Sequence, residues 1–264
     1  MTNGTAGSLT AEAARVLDER NEWQRVLGLS GEKIIDIFID MKSPHAYLAI
    51  RPTLELARDY RVTLNFLPYT LSYATLGLTS SVEPDMARRA PSPAADRKAR
   101  MYYTAARQYA RLQDLPFRSP HRLLDSELAH RAFLFAKAQR LEIPFVMHAY
   151  VHGWGSGWRE YELESPEQLC SSLTAIGART AGFETYIAPG GAGEVALRES
   201  MARAEDTGCT GVPHYVLPAD AAGRMLGLFG REHLALIRGK LGEEGLARHP
   251  HVQPEFSHAW QGPR

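Results

Sequence analysis

The chain has 264 residues, of which 44% are hydrophobic and 23% are charged, and its 30 lysines and arginines equal its 30 aspartates and glutamates. A chain of this length and composition can bury a substantial core as one large domain or two smaller ones. Its balanced charge argues against nucleic acid or an anionic membrane surface as a partner. No stretch approaches the roughly 20 apolar residues of a membrane span. The composition therefore favours a globular protein with a small-molecule or protein partner.

Cysteine usage and the N-terminal sequence indicate a reducing compartment. The two cysteines, Cys170 and Cys209, do not form a C-x-x-C motif. The N-terminal segment carries acidic residues and lacks the basic start and hydrophobic block of a secretory signal. We therefore expect a cytoplasmic protein with free thiols.

The first part of the chain predicts a β-α-β unit preceded by a helix. Residues 10–27 form an amphipathic helical pattern, and the β-branched run at 33–40 predicts a strand. Helical spacing follows at 44–60, with a kink expected at Pro52, and residues 61–69 predict a second strand. Because a long crossover joins the two strands, we expect them to be parallel.

Helical patterns then dominate up to the last part of the chain. Five amphipathic segments are separated by proline and glycine: DRKARMYYTAARQYARLQ, RLLDSELAHRAFLFAKAQR, PFVMHAYVHGW, SPEQLCSSLTAIGA and GEVALRESMARAEDTG. The segments HYVLP and RMLGLF then predict two strands joined by a turn, and REHLALIRGKL predicts a final helix. The order βαβ, helices, ββα is that of a thioredoxin-type domain interrupted by a helical domain.

We therefore predict an α/β fold, a thioredoxin-like domain with a large all-helical insertion. The expected parts are an N-terminal helical extension at 1–32, the thioredoxin-like domain at 33–70 and 209–245, the helical insertion domain at 71–208, and an irregular tail at 246–264.

Four segments together resemble one group of enzymes. FIDMKSPHAYLA, at 38–49, is similar to the start of the kappa-class glutathione transferases and the 2-hydroxychromene-2-carboxylate isomerases. TGVPHYVL resembles their Gly-Val-Pro segment, LFGREHL their aromatic-Gly-x-Asp-Arg-Leu segment, and DRKARMYYTAARQYARLQDLPF their Arg-Lys helix. The resemblance spans residues 33–241 in the right order and places the chain in the disulfide-oxidoreductase A-like branch of thioredoxin folds.

The resemblance has a consequence for the chemistry. The wider branch normally has Cys-Pro-His-Cys where this chain has Ser-Pro-His-Ala at 43–46. Without two thiols this motif cannot cycle a disulfide. The resemblance implies instead an isomerase that depends on glutathione or another low-molecular-weight thiol and acts on an unsaturated aromatic or hydroxychromene-type carboxylate, as a homodimer. The alternatives are a kappa-type glutathione transferase and a non-catalytic binding module.

Ser43 is the candidate catalytic residue. It lies at a strand-to-helix junction, where main-chain N–H groups and the helix dipole favour an anion. The resemblance implies that its hydroxyl stabilises the cofactor thiolate and lowers the pKa of the thiol. The alternative is a helix N-cap, which contributes about 1 kcal/mol to stability.

The resemblance implies cofactor contacts at three further positions. Lys98 would approach a carboxylate of the thiol tripeptide, although a solvated lysine on a helix face is nearly as plausible. Pro213 would form a cis peptide bond that turns the Val212 backbone toward the Ser43 loop, where it pairs with the bound peptide. An ordinary trans proline entering a strand is the alternative.

Arg231, Glu232, His45 and Trp154 complete the candidate site. Relatives carry a small or amide residue followed by Asp where this chain has Arg231 and Glu232, so Glu232 keeps the negative charge while Arg231 adds bulk and a positive charge. Both are assigned to cofactor binding. His45 and Trp154 are assigned to the substrate pocket; the alternative for Trp154 is the anchoring of a glycine-rich loop, and His45 is not oriented for a Ser-His pair with Ser43.

No metal site is expected from the sequence. His148 and His152 are spaced i, i+4, but no glutamate follows the first and no third ligand is evident.

Overall fold

A four-stranded mixed sheet lies at the centre of the fold. The computed structural model describes residues 14–72, 93–220 and 222–253. The strands are β1 (Lys33–Ile39), β2 (Val62–Pro68), β3 (His214–Leu217) and β4 (Leu226–Phe229). Their order in the sheet is β2-β1-β3-β4. As expected, β1 and β2 are parallel, whereas β3 is antiparallel to both β1 and β4. The predicted fold class, a thioredoxin-like domain with inserted helices, is confirmed.

Nine helices that begin and end within the described residues accompany the sheet, and residues 14–17 are also helical. They are α1 (Arg20–Leu27), α2 (Pro44–Asp59), α3 (Pro93–Leu112), α4 (Glu127–Lys137), α5 (Glu142–Ser156), α6 (Pro166–Ala175), α7 (Phe183–Ile187), α8 (Ala192–Glu205) and α9 (Leu234–Glu243). A 3-10 turn, Arg231–His233, leads into α9. The five helices predicted between the strands are present, and α2 continues on both sides of Pro52. The five-residue α7 was not predicted, because one turn and a half is too short to show a period.

Burial explains why the strands have different sequence patterns. The central strand β1 is buried from Ile35 to Ile39 on both faces, which is why apolar residues follow one another there with only Asp36 between them. In β2 at the sheet edge, buried and partly buried residues alternate, as expected for a strand with one face on the core. The carboxyl end of β1 is therefore held rigidly at the place where the chain enters α2.

The described part of the N-terminal extension packs against the core. Trp23 of α1 is almost completely buried, and its indole N–H donates to Glu19 at 3.3 Å. Glu19 in turn accepts a hydrogen bond at 3.1 Å from Nε of Arg51, a buried residue of α2. The same guanidinium donates to the carbonyl of Gln113, just after α3. The extension thus contacts α2 through a largely buried ion pair. The boundaries of the four predicted parts stay a prediction.

We expect Glu19→Gln to lower the free energy of unfolding by about 2 kcal/mol, the magnitude for hydrogen bonds to charged groups. The reason is that the buried Arg51 would lose its charged partner. Urea denaturation measures this. Glu22→Gln is the matched control on the same helix, because Glu22 pairs with the exposed Arg25 and should cost less than about 1 kcal/mol. Equal losses for both variants would contradict a stabilising role of the Glu19 pair.

Candidate active site

The turn between β1 and α2 presents Ser43. Ser43 is the N-cap of α2, with Pro44 at the first helical position, and its hydroxyl oxygen accepts the Ala46 N–H at 3.2 Å. The helix-cap interpretation is thereby confirmed. Within the described residues, the hydroxyl hydrogen of Ser43 has no acceptor. Since a hydroxyl can accept and donate at once, the capping group can still give one hydrogen bond to a ligand.

A second serine in the chain has the same local structure. Ser165 caps α6 with φ −94° and ψ 116°, against −91° and 118° for Ser43, and each is followed by proline. The Ser165 hydroxyl accepts the Gln168 N–H at 3.1 Å. A Ser-Pro cap alone therefore does not mark a catalytic site, and only the surroundings of Ser43 distinguish it.

The sheet register brings the Val212–Pro213 segment to this turn. Phe38 of β1 is paired with His214 in the antiparallel ladder, so the two residues before His214 continue past the end of β1 toward Ser43. Both Val212 and Pro213 are buried, and the predicted cis peptide bond between them is confirmed. The main chain of this segment therefore lies beside the start of α2.

Arg231 reaches the same edge of the sheet. The N–H of Gly230, the residue before it, donates to the Pro213 carbonyl at 2.9 Å. Arg231 is only 4% exposed, and its guanidinium carbon lies 3.6 Å from the centre of the Tyr109 ring. In the described part of the chain its buried Nη1 atom has no hydrogen-bond partner. Because a buried, unpaired cationic donor is costly, a ligand acceptor at this place would be stabilising.

His45 presents a second unpaired donor or acceptor. Its Nε2 atom is buried and makes no hydrogen bond to the described residues. Burial and the positive charge of Arg231 lower the pKa of His45, so its imidazole is neutral at neutral pH. The ring packs edge-on against Tyr102 of α3, with 5.8 Å between ring centres. Tyr102 and Tyr109 therefore contact the site from α3. Neither tyrosine was singled out from the sequence, although their seven-residue spacing would have indicated a shared helix face.

A buried carboxylate, Asp40, binds groups of the turn and of the segments packed against it. Asp40 is fully buried and accepts hydrogen bonds from the Ser126 hydroxyl at 2.7 Å, the Lys42 main-chain N–H at 3.0 Å and the Leu71 N–H at 2.7 Å. The Lys42 ammonium lies 3.1 Å from Oδ2 of Asp40, the oxygen that also accepts the Leu71 N–H. Burial opposes ionisation, but the charge of Lys42 and the hydrogen bonds outweigh it and hold the pKa of Asp40 well below its usual value.

A comparison with models of protein families shows the family to which the chain belongs. Residues 34–242 match the model of the DSBA-like thioredoxin domain. The chain belongs to this family. The comparison with curated proteins found no match.

Solved structures show where this DSBA-like fold recurs. A 2-hydroxychromene-2-carboxylate isomerase superposes with a TM-score of 0.57 at 21% identity, covering 80% of this chain and 96% of that chain. A probable DsbA oxidoreductase from Streptomyces coelicolor gives 0.61 at 16% identity, covering 84% and 93%. The cytosolic disulfide reductase DsbM from Pseudomonas aeruginosa gives 0.54 at 17% identity, covering 80% and 99%. At these identities the similarity shows the fold alone.

Three residues that the sequence assigned to the site differ from one another in burial in this DSBA-like protein. Lys98 lies in the second turn of α3 and is exposed, and Glu232 is exposed in the 3-10 turn. Trp154 is fully buried and stacks on Phe117, with 5.1 Å between ring centres. Its packing is that of a helical core residue, which favours the anchoring interpretation, and its part in a substrate pocket stays a prediction. The ligand contacts of Lys98 and Glu232 also stay predictions.

The described residues of the DSBA-like chain contain no group of three or more His, Cys, Asp or Glu side chains that could hold a metal ion. His148 and His152 do contact each other on α5, with 4.4 Å between ring centres. None of the described helices is both long and apolar enough to span a bilayer.

Proposed function

We propose that this DSBA-like protein is a thiol-dependent isomerase of the 2-hydroxychromene-2-carboxylate isomerase type. Its cofactor would be glutathione or another low-molecular-weight thiol, and its substrate an unsaturated aromatic or hydroxychromene-type carboxylate. The observation that carries the proposal is Ser43, whose hydroxyl occupies the helix start of a DSBA-like domain while keeping a hydrogen to donate. The fold shared with an isomerase, and with a disulfide reductase solved with GSH, supports this class of ligand.

The residues around Ser43 suit an anionic thiol ligand. The start of α2 provides the positive end of a helix dipole, and the Ser43 hydroxyl provides a donor at the same place. Both favour the thiolate over the thiol, so they would lower the pKa of a bound thiol. The thiol, when bound, would supply the sulfur nucleophile that adds to the substrate and later leaves it. Ser43 would stabilise the negative charge on that sulfur before addition and after release.

Arg231 and Glu232 would bind the amino-acid end of the thiol. The unpaired Nη1 of the buried Arg231 would donate to a carboxylate, and the exposed Glu232 next to it would accept from an ammonium group. The Val212 main chain would pair with the peptide of the thiol. Lys98 would contribute to a second carboxylate, and His45 and Trp154 to the substrate side. A homodimer and a cytoplasmic location complete the proposal.

The kappa-type transferase is the near alternative because it uses the same residues. The two differ in the fate of the sulfur: an isomerase regenerates the thiol, whereas a transferase consumes one thiol for each product. Free-thiol titration during turnover therefore separates them. The third alternative, a non-catalytic module, predicts binding without turnover.

The deciding experiment is thiol binding by the full chain. We expect retention on immobilised glutathione and saturable binding of glutathione, cysteinylglycine or cysteine by calorimetry. Binding should weaken at least about tenfold when Arg231 is replaced by methionine, since one charge-assisted hydrogen bond is lost. Arg224→Met is the control, because Arg224 is an exposed residue in an ion pair with Asp220. Failure of the wild-type protein to bind any thiol would overturn the proposed function.

A further inference from the structure

His130 joins the Ser43 turn to the helical part of the protein. It lies on α4 and is completely buried. Its Nε2 atom is 3.1 Å from the main-chain nitrogen of Met41, and its Nδ1 atom is 2.7 Å from the hydroxyl of Thr70. Nε2 is also 3.3 Å from a carboxylate oxygen of Asp40. One imidazole therefore contacts the residues that follow β1 and β2, at the carboxyl ends of these two parallel strands.

The turn depends on this contact for one of its hydrogen bonds. Its three successive N–H groups all have acceptors: Lys42 donates to the Asp40 side chain at 3.0 Å, and Ser43 donates to the Asp40 carbonyl at 2.9 Å. These two bonds lie within the turn itself. Only the Met41 N–H is bound by a residue from another element, His130. A buried N–H without an acceptor would be costly, so the imidazole determines whether all three N–H groups of the turn have an acceptor.

The geometry specifies one protonation state of the ring. Nε2 can accept the Met41 N–H only when it carries no proton, so the proton is on Nδ1 and is donated to Thr70. A charged imidazole would instead donate to Asp40 and leave Met41 unsatisfied. The Lys42 ammonium, 3.1 Å from Asp40, already compensates that carboxylate. The neutral tautomer therefore satisfies the Met41 N–H and both ring nitrogens, while Asp40 has its own donors in the Ser126 hydroxyl and two main-chain N–H groups.

We propose that His130, as the neutral imidazole protonated on Nδ1, is a positioning residue that holds the Met41 N–H and thereby fixes Ser43 for thiol activation. The effect on catalysis rests on the proposed function, whereas the tautomer and the contact with Met41 do not. The residue does not touch the thiol. It acts through the main chain of Asp40 to Ser43, which carries the capping serine.

The first test is independent of any ligand. In a long-range ¹H–¹⁵N spectrum of the folded protein, we expect the His130 ring to show a proton on Nδ1 and none on Nε2. In His130→Leu, the Met41 amide should exchange with solvent at least about tenfold faster, as expected for the loss of one buried hydrogen bond. In His130→Gln, whose amide oxygen can accept at the position of Nε2, the exchange rate should return toward that of the wild type. A proton on Nε2, or unchanged exchange in His130→Leu, would overturn the proposal.

The second test is thiol-dependent turnover, measured where circular dichroism shows each variant folded. We expect His130→Leu to lower kcat about tenfold with little change in KM for the thiol, because a uniformly weaker site would raise KM instead. His130→Gln should recover most of kcat. His148→Leu, on the neighbouring helix α5, is the control and should retain it. An unchanged kcat in His130→Leu contradicts the positioning role. If the wild-type protein shows no thiol-dependent turnover, the proposed function fails, and the spectrum still decides the tautomer and the Met41 contact.

Discussion

Replacing Asp40 by asparagine is expected to lower the free energy of unfolding by about 3–5 kcal/mol, the cost of breaking a buried ion pair from one side. Asp40 is fully buried and forms an ion pair with the buried Lys42 ammonium, so the variant would remove the negative charge of this buried pair. The loss is measured by urea denaturation at neutral pH. Asp36→Asn on the same strand is the control, because Asp36 pairs with the exposed Arg203 and the change should cost less.

The same variant should change how stability depends on pH. Because the pKa of Asp40 is lower in the folded chain than in the unfolded chain, its ionised form stabilises the fold above the ordinary carboxyl pKa. This contribution is lost as the pH falls below that value. The difference in stability between wild type and Asp40→Asn should therefore shrink on acidification. A difference that stays constant with pH would contradict an ionised Asp40.

Replacing Ser43 by alanine is expected to lower thiol-dependent kcat by about 100-fold, as for the loss of one donor to a developing anion. The same change removes a helix cap and should lower the free energy of unfolding by about 1 kcal/mol. Stability and turnover must therefore be measured on the same preparation, by denaturation and by a substrate assay with varied thiol.

Ser165→Ala is the matched control for this experiment. It removes the same cap, in the same Ser-Pro context, from α6. We expect a similar loss of stability and an unchanged kcat. If Ser43→Ala retained full thiol-dependent turnover, Ser43 would be a helix cap alone. If Ser165→Ala lost turnover equally, the loss would report general destabilisation.

The sheet and the Ser43 cap were predictable because their causes are local. The run at Lys33–Ile39 has apolar residues on both faces, with only Asp36 among them after Lys33, which indicates a central strand. The crossover length requires the parallel pairing with β2. Ser43 followed by Pro44 is a helix start at the level of neighbouring residues. The cis bond before Pro213 needed the family resemblance, because sequence alone favours trans.

The hydrogen-bond network around Asp40 and Lys42 could not be predicted, because its causes are not local in the sequence. Lys42 interrupts an apolar run, and nothing near it in sequence shows that it is buried. Its ionic partner Asp40 is two positions away, but the rest of the network comes from the start of α4, more than 80 positions further along the chain. Ser126 accepts from the Lys42 ammonium, and His130 accepts from the Met41 N–H. The contact of Arg231 with Tyr109 likewise depends on how α3 lies over the 3-10 turn. Such pairings follow from tertiary packing, which periodicity does not contain.

The two serine caps, Ser43 and Ser165, show which part of the Ser43 hydroxyl the fold uses. At the start of α2 the fold requires a residue that accepts one N–H, and the Ser43 oxygen meets this need in the way that Ser165 does elsewhere. Within the residues that the structure describes, no group accepts the remaining hydrogen of that hydroxyl. The oxygen of the Ser43 hydroxyl therefore stabilises the helix start, while its hydrogen is the part that can donate to a ligand, so the structural and the chemical role can change independently.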